Sequence, residues 1–180
     1  MGKLSSAAWI AHDVGLATAL GGTLFGREAL HPALREGIDD PRERDRVADG
    51  AWRRFSWVSL AAHGAMASTW FAWRALLSRR QRNRMSNRMS RPLLTAKDAL
   101  VVASVATGVA SMLIGRMLGR RVRMERTLED REHTETLRRA VGATGLANLA
   151  ANVGILGVTA ALAMQGSRSH KLGMVSRRLP

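Results

Sequence analysis

"AVGATGLANLAANVGILGVTAALAMQGS", residues 140–167, runs for 28 positions without Asp, Glu, Lys or Arg. A soluble amphipathic helix of that length shows a polar stripe on every turn, and this run has none. A bilayer core of about 30 Å needs roughly 20 helical residues, so the run is long enough to cross one. Working back toward the N-terminus, the same pattern recurs. Residues 99–115 make a charge-free run of 17, residues 55–73 one of 19, and residues 4–26 form a 23-residue stretch broken only by Asp13.

Strongly charged connectors separate these four segments. The reading is an all-α fold: a four-helix transmembrane bundle, up-down, with charged extramembrane helical extensions. It forms a single integral membrane domain over residues 1–180, with spans near 5–29, 53–76, 97–118 and 140–165. The first segment has one lysine before it and leads into Arg27 and Glu28 instead of a small-residue cleavage site, so it reads as a span and not as a signal peptide. The mean hydropathy of −0.10 averages over segregated blocks and does not argue against this.

The segments are poor in Leu and Ile and rich in Ala and Gly, a composition suited to close helix contact. Gly22 and Gly26, Gly115 and Gly119, and the row Gly142, Gly145, Gly154 and Gly157 are the expected packing surfaces. The five tryptophans, Trp9, Trp52, Trp57, Trp70 and Trp73, lie near segment ends. Trp52 and Trp73 stand roughly 31 Å apart along a helix, which matches two interfacial aromatic belts.

The chain carries 28 Lys and Arg against 14 Asp and Glu, a net charge of +14, and no cysteine. Disulfides and thiolate metal sites are therefore excluded. Such a charge suits nucleic acid, anionic lipid or an acidic partner. The arginines lie beside apolar spans and no nucleic-acid motif is present, so anionic lipids of the bilayer are the expected partner and nucleic acid is not.

The first connector, residues 31–54, mixes six basic and six acidic residues and is interrupted by Pro32, Pro41 and Gly50. It is expected to be a partly helical, solvated excursion. The second, residues 74–97, has eight basic residues, no acid and a tandem Asn-Arg-Met-Ser repeat. Its Arg79, Arg80, Arg82, Arg84, Arg88 and Arg91 are candidates for lipid-headgroup or partner contact. The third, residues 116–139, holds i, i+4 pairs including Glu135/Arg139 and reads as a charged helical hairpin. Counting only Lys and Arg gives 13 on the N-terminal side and 15 opposite, which does not separate the faces. The acid-free second connector and tail favour an N-in, C-in arrangement in an inner or plasma membrane.

Ionisable residues inside a span are costly and are functional candidates by default. His12 and Asp13 lie near the start of the first segment, and His63 lies near the middle of the second. Thr18, Thr107, Asn148 and Asn152 complete an expected polar cluster with Asp13. Such a cluster could hold an ion, a headgroup or a porphyrin edge, or could bond itself shut. Arg74 is the expected counter-ion of Asp13; alternatively Asp13 caps a helix that begins late. Among catalytic signatures, no HExxH, G-x-S-x-G or phosphate loop occurs. No catalytic residue is assigned, and His12 with His63 alone would make a very incomplete metal shell.

His12, Gly21, Gly22 and Phe25, followed by "REALHPAL", resemble a pattern shared by a broad class of four-helix membrane proteins. The segment "GAWRRFSWVSLAAH" and the closing "LRRAVGATGLANLAANVG", with Asn148, resemble the transmembrane protein 205 family in particular. The same class includes copper-resistance D-type domains and the haem-containing protoporphyrinogen oxidase of bacteria. The resemblance implies a four-helix integral membrane protein; its oxidase branch would imply haem on His12. The absence of a histidine in the third segment and of any tyrosine departs from that branch. The expected role is a structural or accessory subunit, acting through lipid, other subunits of a membrane complex or a second copy of itself. The alternative is a haem- or metal-binding redox protein using His12 and, with it, His63.

Overall fold

The computed structural model describes residues 2–77, 90–124 and 128–176. Among these, only residues 38–40 leave helical conformation. Helix α1 spans Gly2–Phe25, and a π-helical turn, Gly26–Leu30, leads into the short α2, His31–Gly37. Three long helices follow: α3 (Pro41–Leu77), α4 (Ser90–Met124) and α5 (Leu128–Ser176). At 1.5 Å per residue, α3 and α4 are each more than 50 Å long and α5 about 73 Å. All three exceed the thickness of a bilayer core.

The break at 38–40 has a local cause. Pro41 opens α3 at a position where a missing N–H costs nothing, and it disfavours helical conformation at Asp40 before it. Asp40 caps the new helix, its Oδ1 accepting from the Arg42 backbone N–H at 3.0 Å. From there α3 runs unbroken through Gly50. The first connector is thus almost wholly helical, and half of it belongs to α3, because only Pro41 stands where it must begin a helix. Pro32 likewise sits in the first turn of α2, where it is tolerated.

Contacts show an antiparallel ring. Gly26 meets Trp52 and His12 meets Met66 between α1 and α3. His63 meets Gly108 and Trp70 meets Asp98 between α3 and α4. Lys97 meets Thr159 and Ser111 meets Thr144 between α4 and α5. In each pair one number rises as the other falls, so each helix reverses its neighbour. A smaller α1–α5 contact closes the ring. The fold is all-helical, with four long helices among the described residues.

The interior is nearly as polar as it is apolar, while many large apolar side chains lie on the surface. The buried set includes His12, His63, Lys97, Ser104, Asn148 and Asn152. Ile10, Val14, Phe25, Val102, Leu113, Val153 and Leu156 are exposed. Arg91–Val122 and Glu132–Gln165 are long and apolar enough to cross a membrane, yet only 11% and 22% of their apolar windows are buried. The core helix of a soluble protein would be mostly covered. The apolar core that exists draws Leu16, Met66, Trp70, Val101 and Ile155 from all four helices.

The glycines divide in two. A methyl group on Gly15 would lie 2.6 Å from the Ala62 carbonyl oxygen, and Gly22, Gly26 and Gly119 would collide with Phe55, Trp52 and Asp49. Gly154 abuts Leu100, and Gly108 admits the His63 ring. A methyl group on Gly115, Gly142, Gly145 or Gly157 would meet nothing within 4 Å among the described residues, so none of these marks a close helix approach there. The tryptophans divide too: Trp70 is in the core and Trp9 and Trp73 pack against it, while Trp57 faces outward. One of the two expected belts is therefore mostly an internal cluster.

Candidate functional site

Two polar clusters stack inside the bundle. The first lies at the end where α1 begins. Trp9, one turn before His12, meets the His12 ring edge-on at 5.7 Å and Trp73 at 5.5 Å. Trp73 stacks on Trp70 at 5.1 Å. Into this aromatic box α4 inserts Lys97, fully buried. Its Nζ lies 4.2 Å from the Trp70 ring centroid and 5.4 Å from that of Trp9, and donates to Thr159 Oγ1 at 2.8 Å. The ring faces supply the negative quadrupole a desolvated ammonium needs.

Beside Lys97, Asp98 faces α3. Arg74 grips it at two points, Nη2 to Oδ2 at 2.6 Å and Nε to Oδ1 at 3.2 Å. Trp70 Nε1 adds a third donor to Oδ1 at 2.8 Å. Arg74 is thus the counter-ion of Asp98 and not of Asp13. Asp13 itself is exposed, and because α1 starts at Gly2 it stands inside the helix and caps nothing. Its nearest influence is electrostatic, on Lys97 and His12.

His12 is 1% exposed. Nδ1 lies 2.9 Å from the Met66 carbonyl oxygen, which can only accept, so Nδ1 carries the proton. In the neutral ring Nε2 then holds a lone pair, and it has no hydrogen-bond partner among the described residues. A carbonyl-fixed tautomer that presents the other nitrogen is how imidazole ligands are oriented in metal sites. Among the described residues, however, no three His, Cys, Asp or Glu side chains converge.

The second cluster lies at mid-bundle and is closed. His63 Nδ1 donates to the Ser59 carbonyl at 2.7 Å, and Nε2 accepts from Asn148 Nδ2 at 3.2 Å. Asn148 also reaches the Ser104 carbonyl at 2.7 Å and Thr107 Oγ1 at 3.1 Å. Asn152 donates to Asn148 Oδ1 at 3.0 Å and accepts from Ser104 Oγ at 2.7 Å. With Gly108 against its ring, His63 has neither a free nitrogen nor space for a ligand.

Of the residues singled out in the sequence, His63, Thr107, Asn148 and Asn152 meet in this network. His12 lies in the other cluster. Thr18 bonds only its own helix, donating to the Val14 carbonyl at 2.7 Å, and Asp13 stays outside. Of the six connector arginines, Arg91 is exposed; Arg79, Arg80, Arg82, Arg84 and Arg88 lie outside the described residues. Sequence reading missed Lys97, counted as the last residue of a basic connector, Asp98, which fell between that connector and the next apolar run, and Ser104, one hydroxyl among many. Their available signal was an adjacent Lys-Asp pair placed against an apolar run.

At the opposite end, His31 packs on Trp52 at 6.1 Å. Burial lowers its pKa below the ordinary 6.5, Arg35 lowers it further and Asp45 opposes them. No family model, curated protein or solved structure matches the chain.

Proposed function

We propose that the chain is an integral membrane protein whose α1, α3, α4 and α5 cross the bilayer near residues 5–29, 53–76, 97–118 and 140–165. It acts as a structural or accessory subunit through lipid and protein contacts. The observation that carries this is the placement of polarity: amides, imidazoles and an ammonium share the interior with a small apolar core, while many large apolar side chains lie outside. In lipid an apolar exterior costs nothing, and helices are held by packing and interhelical hydrogen bonds. In water the same exterior would be a large aggregation-prone surface. The charged ends of α3 and α5, joined by Arg138 Nη2 to Asp45 Oδ2 at 2.5 Å, would then stand in water as a helical extension. The resemblance to the transmembrane protein 205 family agrees with this reading.

Its first test is fractionation. The protein is expected to stay with membranes through carbonate and high-salt washes; release into either wash would overturn the proposal. Purification in gentle detergent should then co-isolate partner subunits or a homo-oligomer. Cysteines placed in the tail and in the third connector test N-in, C-in topology by side-specific labelling.

A second reading, a haem- or metal-binding membrane protein, is favoured by one observation: the buried Nε2 of His12, without a hydrogen-bond partner among the described residues. His63 has no part in it, since both of its nitrogens are engaged. An absorbance spectrum with elemental analysis of the purified protein decides it. Absence of a Soret band and of bound metal removes this reading.

A further inference from the structure

We infer that the outer seam between α3 and α4, at the end of the bundle away from Trp9, is a binding site for the phosphate headgroup of an anionic phospholipid. The inference rests on the membrane reading above. Trp57 is 61% exposed on α3, and the Arg116 guanidinium of α4 lies over its ring, 5.2 Å from the centroid. Arg53 stands one turn before Trp57 on α3, and Arg120 one turn after Arg116 on α4. Because the helices are antiparallel, both turns lead toward the same end of the seam. Arg53 and Arg120 are exposed.

Among the described residues none of these three arginines has a carboxylate partner, although other arginines do. One acid borders the seam: Asp49, one turn before Arg53 on α3, whose carboxylate lies against Gly119, beside Arg120. Three arginines against this one carboxylate leave the seam net positive. The Arg116 guanidinium over an exposed indole, with an exposed arginine one turn further along each helix, gives this seam a cationic rim. Guanidinium matches a phosphodiester through paired N–H donors, and an indole seats at the headgroup level.

The surface just below decides between a lipid and a free phosphate. Leu60 and Leu113 are exposed there, and Gly64 has open space around it. An acyl chain can lie in that apolar strip while its phosphate meets the arginines; inorganic phosphate would use only the rim.

The experiment uses the full chain in nanodiscs containing phosphatidylcholine with a minor fraction of brominated lipid. Bromine quenches nearby indoles, and the Trp57→Phe variant isolates the contribution of Trp57. Basic residues at the membrane surface attract anionic headgroups, so brominated phosphatidylglycerol is expected to quench Trp57 at concentrations about tenfold or more below brominated phosphatidylcholine. Arg53→Gln/Arg116→Gln/Arg120→Gln should abolish that preference, and the corresponding triple lysine variant should keep most of it. Helical content by circular dichroism shows that each variant is folded.

Equal quenching by the two lipids, or a preference retained by the glutamine variant, overturns the inference. So does loss of the preference in millimolar inorganic phosphate at constant ionic strength, which would show a site for the free ion. If no tryptophan is quenched by either lipid, the chain is not in the bilayer, and it is the membrane reading that fails.

Discussion

Arg74 on α3 and Asp98 on α4 form a two-point ion pair, with Nη2 to Oδ2 at 2.6 Å and Nε to Oδ1 at 3.2 Å, and Trp70 Nε1 bonds the same carboxylate. Lys97, the adjacent residue, sits in the tryptophan box against Trp70 and Trp9. The pair is partly exposed, so screening limits its worth. Asp98→Asn is expected to lower stability by about 1–2 kcal/mol, because a charge-assisted bond becomes a neutral one. Thermal unfolding in detergent measures it, and a double-mutant cycle with Arg74→Gln should show a coupling between the two. Asp13→Asn should cost less than Asp98→Asn by the same assay, since Asp13 is exposed and acts on Lys97 only at a distance.

Asn148 joins three helices through one amide, and its loss leaves His63 Nε2, Asn152 Nδ2 and the Ser104 carbonyl each short of a partner. Interhelical hydrogen bonds in membranes average about 0.6 kcal/mol, with a maximum near 1.7. Asn148→Leu is expected to cost about 1–3 kcal/mol, since several buried groups are left unsatisfied together. Thr18→Val, at a residue that bonds only its own helix, is the matched control and should cost a few tenths at most. Equal losses for the two would contradict the network.

Gly15 and Gly21 lie six residues apart on α1 with opposite surroundings. A Cβ on Gly15 meets backbone atoms of α3, Ala62 O at 2.6 Å and Met66 N at 3.2 Å, while Gly21 has open space. Backbone cannot rotate away as a side chain can. Gly15→Ala should therefore destabilise by about 1–3 kcal/mol through overpacking. Gly21→Ala should be neutral or stabilise by up to about 1 kcal/mol, through the restricted unfolded chain. Circular dichroism melts of the two variants side by side provide the check.

The folded protein holds the His31 pKa below 6.5, so near that pH the unfolded chain binds more protons than the folded one. Its contribution to stability is complete above pH 6.5, falls as the pH drops through 6.5, and levels off below the folded value. Denaturation midpoints measured from pH 8 to pH 5 should show a decline that His31→Gln reduces.

Much of this architecture is legible in the chain itself. Four apolar runs separated by charged connectors make four long helices, and Pro41 marks where α3 must begin. Counting residues from segment ends places His63 near the depth of Asn152, and the two belong to one network. Gly50 is the counterexample: a glycine read as an interruption lies inside a continuous helix, because one glycine costs only about 1 kcal/mol and the neighbouring turns carry it.

What sequence alone determined here is depth: which residues lie at which level along each helix, and that successive helices run in opposite directions. What only tertiary structure decided is phase, the rotation of each helix about its own axis. Phase selects Asp98 over Asp13 for Arg74, although both lie at the same end. It turns Gly15 and Gly108 inward while Gly142 and Gly157 face out, and it buries Trp70 but exposes Trp57. The physical reason lies in the segments themselves. A soluble helix declares its buried face through an amphipathic stripe, whereas helices that are apolar nearly all round carry little such signal. Their orientation is settled only when small residues, amides and one ion pair find partners on neighbouring helices.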